Sequence, residues 1–165
     1  MKEKKDFITA LAGIKLLAMD VDGTMTDGKI NIGADGEAFK SFNVKDGLGI
    51  RLLKENNIIP AVITTRNSKI VERRALELGI AEVYQGVLRK DETLCVLAEK
   101  HGLRLDETAF IGDDVNDMEA LEIAGVSFAP SDCAKRVAES VDILLHTKAG
   151  EGAVREAIEM ILAAL

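Results

Sequence analysis

Short apolar runs alternate with helix-period segments along this chain, and that alternation limits its fold more than any other feature. From Lys15 the runs are KLLAM, ending at Asp20, then IIPAVIT at 58–64, EVYQ, TAFIG, VSFA and DILL. Each is short, apolar and bounded by turn residues, as buried strands are. Between them, helical spacing predicts helices over Asp46–Asn56, Ser68–Leu78, Lys90–His101, Asp114–Ala124 and Gly152–Leu165. In the second of these, Ile70, Val71, Leu76 and Leu78 supply an apolar face and Gly79 a natural stop. Strands separated by helices pair in parallel and need cover on both faces. The predicted fold is therefore α/β, a three-layer, doubly wound, mostly parallel sheet of Rossmann-like type. A chain of 165 residues fits one such domain, spanning 1–165. Ligands of these sheets bind beyond the carboxyl ends of the strands.

One stretch breaks the rhythm. Residues 28–43, GKINIGADGEAFKSFN, read as a β-hairpin: INI, a GADG turn, then EAFKSF. The insert is too short to form a separate cap domain.

Acidic residues gather where two strands end. Asp20-Val21-Asp22-Gly23-Thr24 follows KLLAM, and Gly112-Asp113-Asp114-Val115-Asn116-Asp117 follows TAFI. Two carboxylates two residues apart, with a glycine to turn the backbone, can take different roles in one site. One attacks phosphorus while the other handles a proton. Clustered carboxylates raise one another's pKa, and a divalent cation relieves that repulsion. Oxygen donors without nearby His or Cys favour magnesium, with Asp113 as a ligand. Asp114 or Asp117 is equally placed to cap the following helix. Thr64 at the end of IIPAVIT offers a hydroxyl and the N–H groups of its turn, and Lys90 opens a helix with a fixed positive charge. Phosphoryl transfer asks mainly for such positioning and neutralisation.

Charge and cysteine content narrow the partners. A formal net charge of −7 argues against nucleic acid, whose binding needs a basic face. Local cations or a metal can still receive a small anionic ligand. Cys95 and Cys133 have no disulfide or zinc spacing and read as reduced, partly buried thiols. In the opening MKEKKDFITALAGIKLLAMD, Glu3, Asp6 and Lys15 spoil a signal-peptide pattern, and no run reaches the length of a membrane span. The expectation is a cytoplasmic protein with no membrane partner. His101 and His146 read as surface or helix-end residues without a partner.

The D-x-D-G-T run, Thr64, Lys90 and the G-D-D-x-x-D segment together resemble the haloacid dehalogenase (HAD) superfamily of phosphatases, over roughly residues 14–160. DVDGTMTDG, KSFNVKDGLGIR, ITTR, YQG and AGEGAVRE are similar to its capless branch, the 3-deoxy-D-manno-octulosonate 8-phosphate phosphatases. This resemblance implies the HAD fold and a magnesium ion held by Asp20, by the Asp22 backbone carbonyl and by Asp113. It implies catalytic roles for Asp20, Asp22, Thr64 and Lys90. Substrate contacts would come from Asp22, Asn43, Val44, Lys45, Asp46, Gly47, Arg51, Arg66, Arg74 and Lys90. It further implies a homotetramer packed through the hairpins, with the Gly-rich segment near the C-terminus reaching a neighbouring site. The reaction implied is hydrolysis of an acidic sugar phosphate through an aspartyl phosphate, in lipopolysaccharide biosynthesis. Neuraminate-type nine-carbon 9-phosphates are the alternative substrates.

Arg66 and Arg74, eight residues apart, are expected to share a side near one anion. Arg74 also fits an exposed charged helix face, and Asn43 and Asp46 also fit turn and cap roles. Two departures stand out: Thr65 replaces the usual glycine, and Glu151 replaces the usual cation of a Gly-Gly-Arg-Gly run. Two other classes share parts of this pattern. A signalling receiver domain also combines acidic residues, a Thr and a Lys on an α/β sheet. A non-catalytic oligomerisation module could keep the same frame.

Overall fold

In the computed structural model, which describes residues 7–165, a six-stranded parallel sheet forms the middle layer. The strands are β1 (Leu16–Met19), β4 (Ile59–Ile63), β5 (Glu82–Tyr84), β6 (Thr108–Ile111), β7 (Val126–Ala129) and β8 (Ile143–Leu144). A separate two-stranded ribbon pairs β2 (Asn31–Gly33) with β3 (Gly36–Phe39). The helices are α1 (Phe7–Ala12), α2 (Val44–Glu55), α3 (Lys69–Leu78), α4 (Lys90–Lys100), α5 (Met118–Ile123), α6 (Lys135–Ala138) and α7 (Ala153–Ala163). No helix among the described residues is long and apolar enough to cross a membrane. Part of the opening segment weighed above as a signal peptide lies outside the described residues.

The sheet order is β5-β4-β1-β6-β7-β8. Counting only strands of this sheet in chain order, it reads 3-2-1-4-5-6, the doubly wound order that reverses beside the first strand. A receiver domain has the order 2-1-3-4-5 instead, so the topology departs from that class. β1 lies between β4 and β6, with Leu16 level with Ile59 on one side and Thr108 on the other. The chain leaves β1 and β6 at the reversal, so their loops face a common crevice.

Strand side chains alternate between the two faces of the sheet. Leu17, Met19, Val62, Ile111 and Phe128 pack under α2, α3 and α7, while Leu16, Ala18, Ile63 and Phe110 pack against α4 and α5. Helix ends follow their sequence signals. The Ser68 hydroxyl accepts from the Val71 N–H at 3.3 Å, and Gly79 closes α3 in the left-handed conformation at φ 64°. Within α3 the buried stripe is Val71 and Ala75; Leu76, expected on the apolar face, is 82% exposed. Five positions beyond Val71 it lies about 140° around the helix, so it cannot share that stripe.

Three further boundaries differ from the sequence reading. The helix expected from Asp114 begins only at Met118, after a one-turn 3-10 segment over Val115–Asp117. Tightening of this turn comes from Asp117, whose Oδ2 accepts the Asp113 and Asp114 N–H groups at 2.9 and 3.2 Å. In the hairpin, Gly33 and Gly36 belong to the strands, leaving Ala34 and Asp35 as a two-residue loop. The second strand stops at Phe39 rather than running to Phe42, because Lys40 turns inward. His101 has a partner after all: its Nε2 lies 2.8 Å from Glu82 Oε1, on a carboxylate that also accepts from Lys100 and from the Tyr84 hydroxyl. Cys95 is exposed rather than partly buried, and both cysteines are free.

Candidate active site

Parallel pairing brings the ends of β1, β4 and β6 level, and the residues that follow them meet in one cleft. Asp20 continues the ladder past β1, its N–H donating to the Ile111 carbonyl at 3.0 Å. Its side chain is buried and receives a hydrogen bond from Lys90 Nζ at 2.7 Å. The same ammonium donates to Asp117 Oδ1 at 2.5 Å. Lys90 is the first residue of α4, so the helix start carries this cation beneath the sheet end.

Asp113 completes the acidic group from the other side. Its Oδ1 accepts from the Thr24 hydroxyl at 3.2 Å. Gly23 lies between the two acidic loops at φ +87°, and a Cβ there would sit 2.2 Å from Asp113 Oδ2. Only glycine permits both that backbone and that approach.

Oxygens of Asp20, Asp113 and Asp117 lie within 4.8 Å of one another. Burial, then the neighbouring Asp117, pushes the Asp20 carboxyl up to about 6 against the opposing pull of Lys90. Burial, then Asp20 and Asp117, pushes Asp113 up to about 8. Burial works against the Lys90 charge, but Asp20 and Asp117 more than offset it and hold its pKa above the ordinary value.

This arrangement fits a divalent cation. Both oxygens of Asp117 are engaged, by Lys90 and by two backbone N–H groups. The buried Asp20 and the half-buried Asp113 remain as close acidic groups with oxygen donors only, the chemistry a hard divalent ion relieves.

The cleft holds about 170 Å³ and is lined by Asp20, Asp22, Thr64, Thr65, Arg66, Asp113, Asp114 and Asn116. Thr64 ends the β4 side, its N–H donating to the Tyr84 carbonyl at 2.9 Å. Arg66 lies in the loop before α3, with Nε 4.0 Å from Asp22 Oδ2. Asp114 caps the following turn, its Oδ1 accepting the Val115 N–H at 2.7 Å. Thr65 and Asn116 had no chemical role in the sequence reading, although they sit inside its motifs.

Several residues implied as substrate contacts do not line the cleft of their own chain. Asn43 caps α2, accepting the Lys45 N–H at 2.9 Å, and donates to the Gly150 carbonyl at 3.3 Å. Val44 and Lys45 are exposed on the first turn of that helix. Asp46 is buried and accepts the Arg155 N–H at 2.8 Å, and Gly47 packs under the Arg74 guanidinium. Arg51 pairs with Glu55 along the solvent face of α2. Arg74 pairs with Glu77 and stands 5.6 Å over the Phe42 ring. Arg66 lines the cleft and Arg74 does not, and because Arg66 precedes α3, helical spacing does not relate the two. The Gly-rich segment lies on its own chain, where a Cβ at Gly150 would meet the Asp27 nitrogen at 2.6 Å.

Known proteins resemble this chain in sequence and in fold. A family model described as haloacid dehalogenase-like hydrolase matches residues 43–125. The 3-deoxy-D-manno-octulosonate 8-phosphate phosphatase KdsC of Haemophilus influenzae is 44% identical over 154 residues, 93% of this chain and 86% of that protein. The cobalt-bound phosphatase structure from the same organism superposes with a TM-score of 0.92 at 43% identity, covering 94% of this chain and 91% of that one. The Moraxella catarrhalis 3-deoxy-D-manno-octulosonate 8-phosphate phosphatase, in complex with magnesium ion, phosphate ion and KDO, superposes with a TM-score of 0.94 at 40% identity. That match covers 98% of this chain and 93% of the other. The chain belongs to the haloacid dehalogenase-like hydrolase family, beside the 3-deoxy-D-manno-octulosonate 8-phosphate phosphatases, and is a phosphomonoester hydrolase.

Proposed function

We propose that this enzyme hydrolyses 3-deoxy-D-manno-octulosonate 8-phosphate through an aspartyl phosphate on Asp20. The observation that carries the reading is the meeting of Asp20, Asp22, Thr64 and Asp113 in one cleft, with Lys90 hydrogen-bonded to Asp20. Magnesium would be held by Asp20, Asp113 and the Asp22 carbonyl; when bound it neutralises the carboxylates and the phosphoryl oxygens. Lys90 fixes the Asp20 carboxylate. Asp20 attacks phosphorus while the ester oxygen departs, taking a proton from Asp22. Asp22 then accepts a proton from the water that attacks phosphorus, and Asp20 is released. Thr64 and the N–H groups of its loop receive phosphoryl oxygens, and Arg66 offers a cation to the rest of the substrate.

Size supports a contribution from a neighbouring copy. The cleft of about 170 Å³ suits a phosphoryl group and its ion, whereas sites for larger ligands run to roughly 300–1,000 Å³. The sugar must extend past the rim. Asn43, Val44, Lys45, Arg51 and Arg74, which do not line their own cleft, are then offered to a neighbour's substrate in a homotetramer assembled through the hairpins, while the buried Asp46 and Gly47 shape the start of α2. The free thiols of Cys95 and Cys133 suit the reducing cytoplasm, where we place the enzyme.

A magnesium-supported turnover panel tests the substrate. It compares 3-deoxy-D-manno-octulosonate 8-phosphate, neuraminate-type 9-phosphates and neutral sugar phosphates. The highest kcat/KM is expected for the eight-carbon acid; preference for the nine-carbon acids would reassign the substrate, and preference for neutral sugars would remove the acidic-sugar reading.

A further inference from the structure

Lys40 has no role in the site as described so far, yet it reaches the site from outside the sheet. It follows the last residue of β3, and its side chain is 1% exposed. Its Nζ lies 2.5 Å from Asp22 Oδ1 and 2.8 Å from Glu37 Oε1. Glu37 also accepts a hydrogen bond from the Ser68 hydroxyl, and Ser68 is the cap of α3. A continuous chain of polar contacts therefore runs from the start of α3 through the hairpin to Asp22.

We propose that Lys40 is a positioning residue for the proton-transfer step, holding Asp22 through Oδ1 so that Oδ2 is the oxygen offered to the leaving group. Arg66, a lining residue of the cleft, is 4.0 Å from Oδ2, so that oxygen is the one on the Arg66 side of the cleft. Stability alone does not account for the arrangement. Burying an ammonium between two carboxylates costs desolvation that the mutual attraction offsets only partly, and apolar replacements often serve stability as well or better. What the buried group supplies is a fixed rotamer on a short side chain that must deliver a proton. Glu37 and Ser68 hold the ammonium in turn, so the hairpin is tied to the chemistry of its own chain.

The proposal rests on the acid role of Asp22 given above, and leaving-group dependence separates the two. A sugar alkoxide needs a proton to depart; p-nitrophenolate does not. kcat/KM reports the steps up to departure of the leaving group, so the later hydrolysis of the aspartyl phosphate does not enter. For Lys40→Met, kcat/KM on 3-deoxy-D-manno-octulosonate 8-phosphate is expected to fall on the order of tenfold or more, with p-nitrophenyl phosphate little changed. Asp22→Asn should show the same selectivity, more strongly. Glu37→Gln, which keeps the ammonium but loosens its seat, should show it more weakly and carries the test if Lys40→Met does not fold. Equal losses on both substrates, or none on either, would overturn the positioning role while a selective Asp22→Asn left the acid role standing. A non-selective Asp22→Asn would overturn both.

Discussion

Burial and mutual repulsion raise the carboxyls of Asp113 and Asp20, and this shapes how the protein responds to pH. Their carboxyls are raised from the ordinary 3.8 to about 8 and about 6, by burial first and then by neighbouring carboxylates. A carboxyl raised on folding contributes stability below its ordinary pKa and loses it as pH rises through the folded value. Without metal, these two groups weaken the fold progressively between about pH 4 and pH 8. Saturating magnesium should therefore raise Tm more at pH 8 than at pH 5.5. A difference of about 2 kcal/mol corresponds to roughly 4–8 °C for a chain of this size. Thermal melts with and without magnesium at the two pH values check this; an equal gain at both would contradict it. At this scale the acidic motifs, Thr64 and Lys90 were legible in the sequence, because each directly follows an apolar strand or opens a helix. Lys40 was not legible. In a hairpin it reads as one more solvated lysine, and only the fold shows that the strand ends there and turns the side chain toward Asp22.

Elements carry their own pH dependence at the far end of the sheet. Glu82 on the edge strand β5 binds Lys100, His101 and Tyr84, tying the last turn of α4 to the sheet. Burial opposes its charge, but hydrogen bonds from Lys100, Tyr84 and His101 outweigh it and hold Glu82 at about 2 against an ordinary 4.5. A depressed carboxyl contributes stability above its ordinary pKa and loses it as pH falls toward the folded value. Glu82→Gln is expected to lower Tm at pH 7 and to flatten the fall in Tm between pH 4.5 and pH 3; an unchanged acid limb would contradict the staple. Strand and helix order was readable because buried parallel strands are short continuous apolar runs. The short helices α1 and α6, of six and four residues, escaped because neither spans the two turns that make a helical period visible. Leu76 misled for a related reason: an apolar residue near a stripe need not lie on it.

The whole molecule leaves apolar side chains on its hairpin, with Ile32 76% and Phe39 56% exposed. The proposed tetramer would cover these exposed apolar groups. Ile32→Asp with Phe39→Asp is expected to dissociate the assembly in light scattering, and to raise KM as the neighbouring arginines are lost. A monomeric parent protein, or an unchanged tetramer in the double variant, would contradict the assembly. The proposed assembly through the ribbon is only weakly written in the sequence, since a period-2 alternation does not say whether its exposed face meets water or another chain. The central claim, a phosphatase that works through Asp20, is tested most directly by magnesium-supported turnover of 3-deoxy-D-manno-octulosonate 8-phosphate by Asp20→Asn. The expected result is a loss on the order of 10³-fold or more in kcat with an unchanged far-UV spectrum and a Tm no lower than that of the parent. Turnover by Asp20→Asn at the parent rate would contradict the account.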